Sequence, residues 1–127
     1  MHPNTHLAID ASLCGQPIRL SEGAATVRLT ALQQMAADDR GLVHGGFLFG
    51  LADYAVMLAV NHPNVVLGAA DTRFTAPVRV GEVVTAEAVR TEAKGRKHIV
   101  EVSATVGDRE VLRGTFTAFV LDEHVLD

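Results

Sequence analysis

From Phe47 to Val60 the chain reads FLFGLADYAVMLAV, an apolar run in which Asp53 is the single charge. Apolar positions lie nearly all round the helical wheel rather than along one stripe, which predicts a helix enclosed by the rest of the fold. It is expected from about Gly45 to Asn61 and ended by His62-Pro63, because proline disfavours a helical residue before it. Upstream the pattern is weaker. Residues 4–14 are expected to form a short helix stopped by Gly15 and Pro17. Residues 24–32 alternate as a strand, with Val27 and Leu29 opposite Arg28 and Thr30, and 33–43 read as a loop. Downstream, nearly everything alternates with period two. Strands are expected over 65–76, 82–93, 98–106 and 110–121, with turns at Lys94-Gly95-Arg96-Lys97 and Gly107-Asp108-Arg109. Short turns join antiparallel neighbours, so the pattern predicts an α+β fold in which a long antiparallel sheet curls around one helix.

Length and charge narrow the picture. The 127 residues fit a single domain, residues 1–127. A net charge of −4 argues against a general nucleic-acid surface. Cys14 is the only cysteine, so no intrachain disulfide is expected, in keeping with a reducing, cytoplasmic setting. The N-terminal stretch lacks the basic start and continuous apolar segment of a signal peptide. The Phe47–Val60 run falls short of the roughly 20 residues that span a bilayer, and Asp53 sits in its middle, so no membrane insertion is expected. The six histidines are scattered, none pairs with another at i, i+3 or i, i+4 on a predicted helix, and no metal site is expected.

Asp53 is the candidate with chemical content. An ionised carboxylate in apolar surroundings costs several kcal/mol or takes up a proton. Ahead of it, His44-Gly45-Gly46 opens the helix, and free backbone N–H groups at a helix start can bind an oxyanion. Together they suggest attack on a polarised carbonyl. Each part alone also has a structural reading: the glycines ease entry to the helix, Asp53 bonds to backbone or an arginine, and His44 is a polar residue before a helix. Gly45 and Asp53 are eight residues apart, roughly 12 Å along the axis at 1.5 Å per residue. Both must come within roughly 3 Å of the reacting atoms, so one helix cannot supply both to one carbonyl. Two antiparallel copies across a two-fold axis can, with Asp53 of one chain facing Gly45 of the other. If both act, the protein is at least a homodimer with two equivalent sites.

Gly41-Leu42-Val43-His44-Gly45-Gly46, with Asp53 seven residues later, resembles the hotdog-fold acyl-CoA thioesterases of the phenylacetate-pathway type. Phe74-Thr75-Ala76-Pro77 followed by Gly81-Glu82 is similar to that family's F-x-x-P-x-x-x-G-D/E segment, and Gly95-Arg96 to its glycine–basic turn. The resemblance covers about residues 20–121. It implies a hotdog fold, a dimer formed by joined sheets, and commonly a homotetramer. It implies that the Gly45 N–H, beside Gly46, polarises the thioester carbonyl. Asp53 of the partner chain would act as nucleophile or general base, and His44 would position the thioester. Coenzyme A enters only as part of the substrate, and no separate cofactor is implied. Its phosphates need cations, for which Lys94, Arg96 and Lys97 flanking Gly95 are candidates. Phe74 would line the acyl or pantetheine channel. Phe47, Phe49, Tyr54 and Met57 are further candidates for an acyl pocket, with core filling the simpler reading for Phe49 and Met57. The chain departs from the family in carrying Asp38 where many relatives have Asn. It also carries Leu67-Gly68-Ala69-Ala70 where many have Ser or Thr, with Asp71 and Thr72 out of alignment with that position. Two other readings stand beside hydrolysis: a non-catalytic acyl-CoA or acyl-ligand binding protein, and a hotdog enoyl-CoA hydratase using Asp39 and His44. The hydratase's usual Asn-Pro is absent, and Asp53 would then have no role.

Overall fold

In the computed structural model, which describes residues 1–127, a short helix α1 (Ala11–Cys14) is followed by strands β1 (Gln16–Ser21) and β2 (Ala24–Thr30). A 3-10 turn at Gln33–Met35 leads to the long helix α2 (Gly45–Val60). Then come β3 (Val65–Phe74), β4 (Val83–Lys94), β5 (Lys97–Val106) and β6 (Arg109–Val120). All six strands form one antiparallel sheet in the order β1-β2-β4-β5-β6-β3, and the sheet wraps α2 in the hotdog arrangement. Gly95 and Gly107 turn the two successive hairpins with φ of 61° each, a backbone state that costs glycine nothing.

Period two sorts the side chains. The inward faces of β4, β5 and β6 carry Val84, Ala86, Ala88, Val100, Val102, Ala104, Leu112, Phe116 and Ala118, all essentially inaccessible. Against them α2 buries Leu48, Leu51, Ala52, Ala55, Val56, Leu58 and Ala59. The alanines on the sheet let the helix lie close, and Phe116 fills the remaining space by stacking on Phe49 at 5.4 Å between centroids. Each fully buried large side chain stabilises the fold by about 1.5–3 kcal/mol.

Several expectations change. Only Ala11–Cys14 of the predicted 4–14 helix is helical, because His6 adopts φ of 56° and Asp10 caps the first turn through Ser12 N–H at 2.9 Å. Strand β1 is an addition: Gln16–Ser21 exposes most of its residues and is held by pairing with β2. The long helix stops one residue earlier than expected, at Asn61 rather than through it. Asn61 is left-handed (φ 55°, ψ 42°), and its N–H closes on Met57 C=O at 2.7 Å. Its side chain also ties down the N-terminal segment, accepting from Asn4 N–H and donating to His2 C=O. No helix is long and apolar enough to cross a membrane.

Both edges of the sheet, β1 and β3, and one face of α2 stay uncovered in the single chain. Strand β3 pairs only with β6, so its other edge is unpaired along ten residues. On α2, Gly46, Gly50 and Asp53 share a face at i, i+4 and i+7 that the sheet does not cover.

Candidate active site

The start of α2 is fixed from outside the helix. Val43 N–H donates to Val78 C=O and His44 N–H to Met35 C=O, both at 2.9 Å. His44 is the N-cap, in extended conformation, yet its exposed imidazole makes no capping bond. Instead the ring lies over Gly46, where a Cβ would come within 3.0 Å of it, and edge-on to Phe47. The amides of Gly45 and Gly46 find no acceptor within the chain, whereas Phe47 N–H already closes on His44 C=O. Two donors therefore point out of the positive end of the helix, where an oxyanion is favoured.

Phe74, at the end of β3, lies over this opening. A Cβ on Gly45 would meet the Phe74 ring at 3.3 Å, so a bare backbone is what lets the aromatic sit there. Gly45, Gly46, His44 and Phe74 are thus brought together, although Gly45 and Phe74 are 29 positions apart in the chain.

Asp53 sits two turns along the same helix. Its Oδ1 is buried without a hydrogen-bond partner, and burial pushes its carboxyl up from 3.8 to about 6. One turn before it, a Cβ on Gly50 would meet nothing within 4 Å, so the helix face beside Asp53 is open. On the other side the end of α1 closes in: a Cβ on Gly15 would strike Leu51 Cδ1 at 2.9 Å. The Cys14 thiol is raised by its burial and then by the charges of Asp10 and Asp53. Nothing in the same chain places an oxyanion donor next to Asp53.

The structure adds Thr72. With Phe74 facing α2, alternation puts Thr72 on the same face of β3, and its Oγ1 is buried without a partner. At about 3.3 Å per residue it lies about 7 Å from Phe74 toward the middle of α2, between the levels of Gly45 and Asp53. Motif spacing left Thr72 out of alignment; its period-two relation to Phe74 is the signal in the sequence that points to it. Asp71 faces the outer side of the sheet instead, beside Arg73, Glu101 and Thr115.

Lys94, Gly95, Arg96 and Lys97 sit at the far end of α2. Lys94 and Lys97 close the hairpin, and Arg96 is ion-paired with Asp122. This end holds a cleft of about 520 Å³ lined by Val60, His62, Arg90, Arg96, His98 and Asp122. The helix length separates it from Gly45 of the same chain by roughly 22 Å. Tyr54 and Met57 are core residues, 5% and 1% exposed, and Phe49 faces the sheet, so they do not form an open acyl pocket within the chain. Phe47 remains at the site beside His44. Asp38 serves the loop itself, since its Oδ1 accepts from Arg40 N–H and Leu42 N–H at 2.9 and 3.1 Å. Asp39 is exposed in the same loop.

A family model described as fluoroacetyl-CoA-specific thioesterase matches residues 57–124, more than half of the chain and downstream of both Gly45 and Asp53. The uncharacterized protein PH1136 from Pyrococcus horikoshii is 50% identical, with a TM-score of 0.99 over 100% of this chain and 98% of that one. A variant of the phenylacetic acid degradation protein PaaI from Thermus thermophilus is 30% identical, with a TM-score of 0.78 over 86% of this chain and 95% of that one. Methylthioribose-1-phosphate isomerase of Aquifex aeolicus is 49% identical over 123 residues, which are 96% of this chain and 27% of that protein. The chain spans 27% to 60% of the length of the curated relatives it matches, transcription factors among them.

Proposed function

Because the chain belongs to the fluoroacetyl-CoA-specific thioesterase family, we propose that it hydrolyses an acyl-CoA thioester to a free acid and coenzyme A. The observation that carries this reading is Asp53: a carboxylate with an unpartnered buried oxygen on the one open face of an otherwise enclosed helix.

Two chains complete the site. With their α2 helices antiparallel, Asp53 of one protomer lies level with Gly45 of its partner. The unpaired edge of β3 supports such an assembly, since an open ten-residue edge is stabilised by continuing the sheet into a second chain. The assembly is a homodimer at minimum, and two such dimers make a homotetramer. The partner's Val60 then lies about 10 Å beyond Gly45, at 1.5 Å per residue over seven residues. The partner's Lys94, Arg96 and Lys97 thereby reach the side on which the nucleotide half of the substrate leaves the site.

The chemistry follows from the placement. Gly45 N–H, with Gly46 beside it, donates to the thioester oxygen and holds the charge that builds there. Such a donor is worth about 3–4 kcal/mol where it acts on the transition state. Asp53, ionised above about pH 6, either takes the proton of an attacking water or attacks the carbonyl itself. The tetrahedral intermediate collapses with cleavage of the C–S bond. The thiolate leaves and is protonated, and water supplies the oxygen of the product acid. His44 and Phe74 flank the carbonyl and orient it. The substrate brings its own coenzyme A, and no cofactor or metal takes part.

The test is purified wild type and Asp53→Asn against short, medium-chain and aryl acyl-CoAs, with free thiol as the readout. Thiol release by the wild type, reduced by about 10² or more in the variant, is expected. Release that persists undiminished in the variant would remove Asp53 from the mechanism. No release by either protein on any thioester would overturn hydrolysis in favour of ligand binding.

A further inference from the structure

The antiparallel dimer leaves the same-chain side of the substrate path without an assigned cation. The loop before α2 and the segment after β3 meet there. Leu42 and Arg79 are bridged across this junction, and Val80 N–H donates to Gly41 C=O at 2.9 Å. The two Asp38 hydrogen bonds hold residues 38–42 in a fixed turn, with Gly41 at φ of 80°. Asp38, Arg40, Leu42, Pro77 and Arg79 line a cleft of about 220 Å³.

Charge in this cleft is unbalanced. Neither Arg40 nor Arg79 forms an ion pair. The cleft holds one carboxylate, Asp38, against two arginines, and neither arginine pairs with it. Asp38 accepts two backbone amides, and Glu82 accepts the Arg79 amide at 2.7 Å and the Arg109 guanidinium at 3.0 Å. Arg109 is itself taken up by Glu82 and the Pro77 carbonyl. Two unpaired arginines lining one cleft fit phosphate, which accepts from guanidinium N–H donors. Between the cleft and Gly45 lie Leu42 and Phe74, exposed at 42% and 53%, an apolar path for an uncharged arm. The five residues from Phe74 to Arg79 span at most about 17 Å.

We propose that Arg40 and Arg79 form a phosphate subsite that takes a phosphate group of the coenzyme A moiety, in the same protomer that supplies Gly45. This rests on the acyl-CoA reading above and adds a recognition element that the partner's hairpin does not provide. The pantetheine arm runs over Phe74 and Leu42, and the phosphate end lies between Arg40 and Arg79 of one chain and the hairpin cations of the other.

The experiment compares one acyl group on coenzyme A and on pantetheine, which lacks the phosphates, in wild type, Arg40→Gln, Arg79→Gln and the double variant. Loss of a charge-assisted bond predicts a KM for acyl-CoA raised about tenfold or more per arginine. The KM for acyl-pantetheine should stay where it was, and the melting temperature should not move. An unchanged KM for acyl-CoA, or equal rises with both substrates, overturns the subsite. If the wild type hydrolyses neither thioester, calorimetry with coenzyme A and pantetheine separates the two proposals. A preference for coenzyme A that disappears in the double variant keeps the subsite and sinks hydrolysis. Binding of coenzyme A that is absent, or the same in all four proteins, sinks the subsite.

Discussion

Replacing Asp53 by Asn should stabilise the protein at neutral pH while removing its activity. Burial raises the Asp53 carboxyl from 3.8 to about 6, and no hydrogen bond to Oδ1 opposes that rise. The folded-state value is therefore above the unfolded one. Between pH 3.8 and about 6 the folded chain binds more protons than the unfolded chain, so stability falls as pH rises through that window. At about 1.4 kcal/mol per pH unit the difference amounts to about 3 kcal/mol by pH 7. Asp53 is not wholly enclosed, and solvent screening brings the expected cost into the range of about 1–3 kcal/mol. Asn has the same shape and never ionises, so the variant escapes this cost. Urea unfolding of both proteins at pH 3.5 and pH 8, at one protein concentration, measures it. The curves should nearly coincide at pH 3.5, with the variant more stable at pH 8. A gap that does not change with pH, or a variant less stable at pH 8, would refute the claim that Asp53 is held against its preferred protonation state.

Three further outcomes are expected. Because Asp53 must be ionised to act, kcat/KM should rise with pH through about 6 and then level off; a fall across that window would mean that the protonated acid is the active form. Thr72→Val removes a buried hydroxyl that has no partner, so the melting point should rise by an amount corresponding to about 1 kcal/mol. A lower melting point would show that the hydroxyl is bonded in the assembled protein. Gly114→Ala places a Cβ 2.7 Å from the Asp71 carbonyl and 3.3 Å from Thr72 Cα, forcing β3 and β6 apart. Denaturant unfolding should show a loss of about 1–3 kcal/mol, and an unchanged midpoint would mean that the sheet gives way freely there.

The one-dimensional pattern settled much of this fold. Continuous apolarity from Phe47 to Val60 gave an enclosed helix, and strict alternation after residue 65 gave the strands, because burial on a helix or one sheet face writes itself locally into the residue order. The same reasoning singled out Asp53 and the paired glycines, since a charge in an apolar run and bare amides at a helix start are visible without coordinates. Strand β1 was missed because an edge strand held by one neighbour, with most of its side chains exposed, leaves almost no periodic trace. Tertiary structure alone decided what stands beside what. It laid Phe74 over Gly45, turned Thr72 inward, gave Asp38 a turn to hold, and sent the Lys94–Lys97 hairpin to the opposite end of α2. It also brought Arg79 and Arg40, two cations 39 residues apart in the chain, to the lining of one cleft. Those contacts come from strand order and register, which are chosen by packing the whole sheet around one helix and which no short stretch of sequence records.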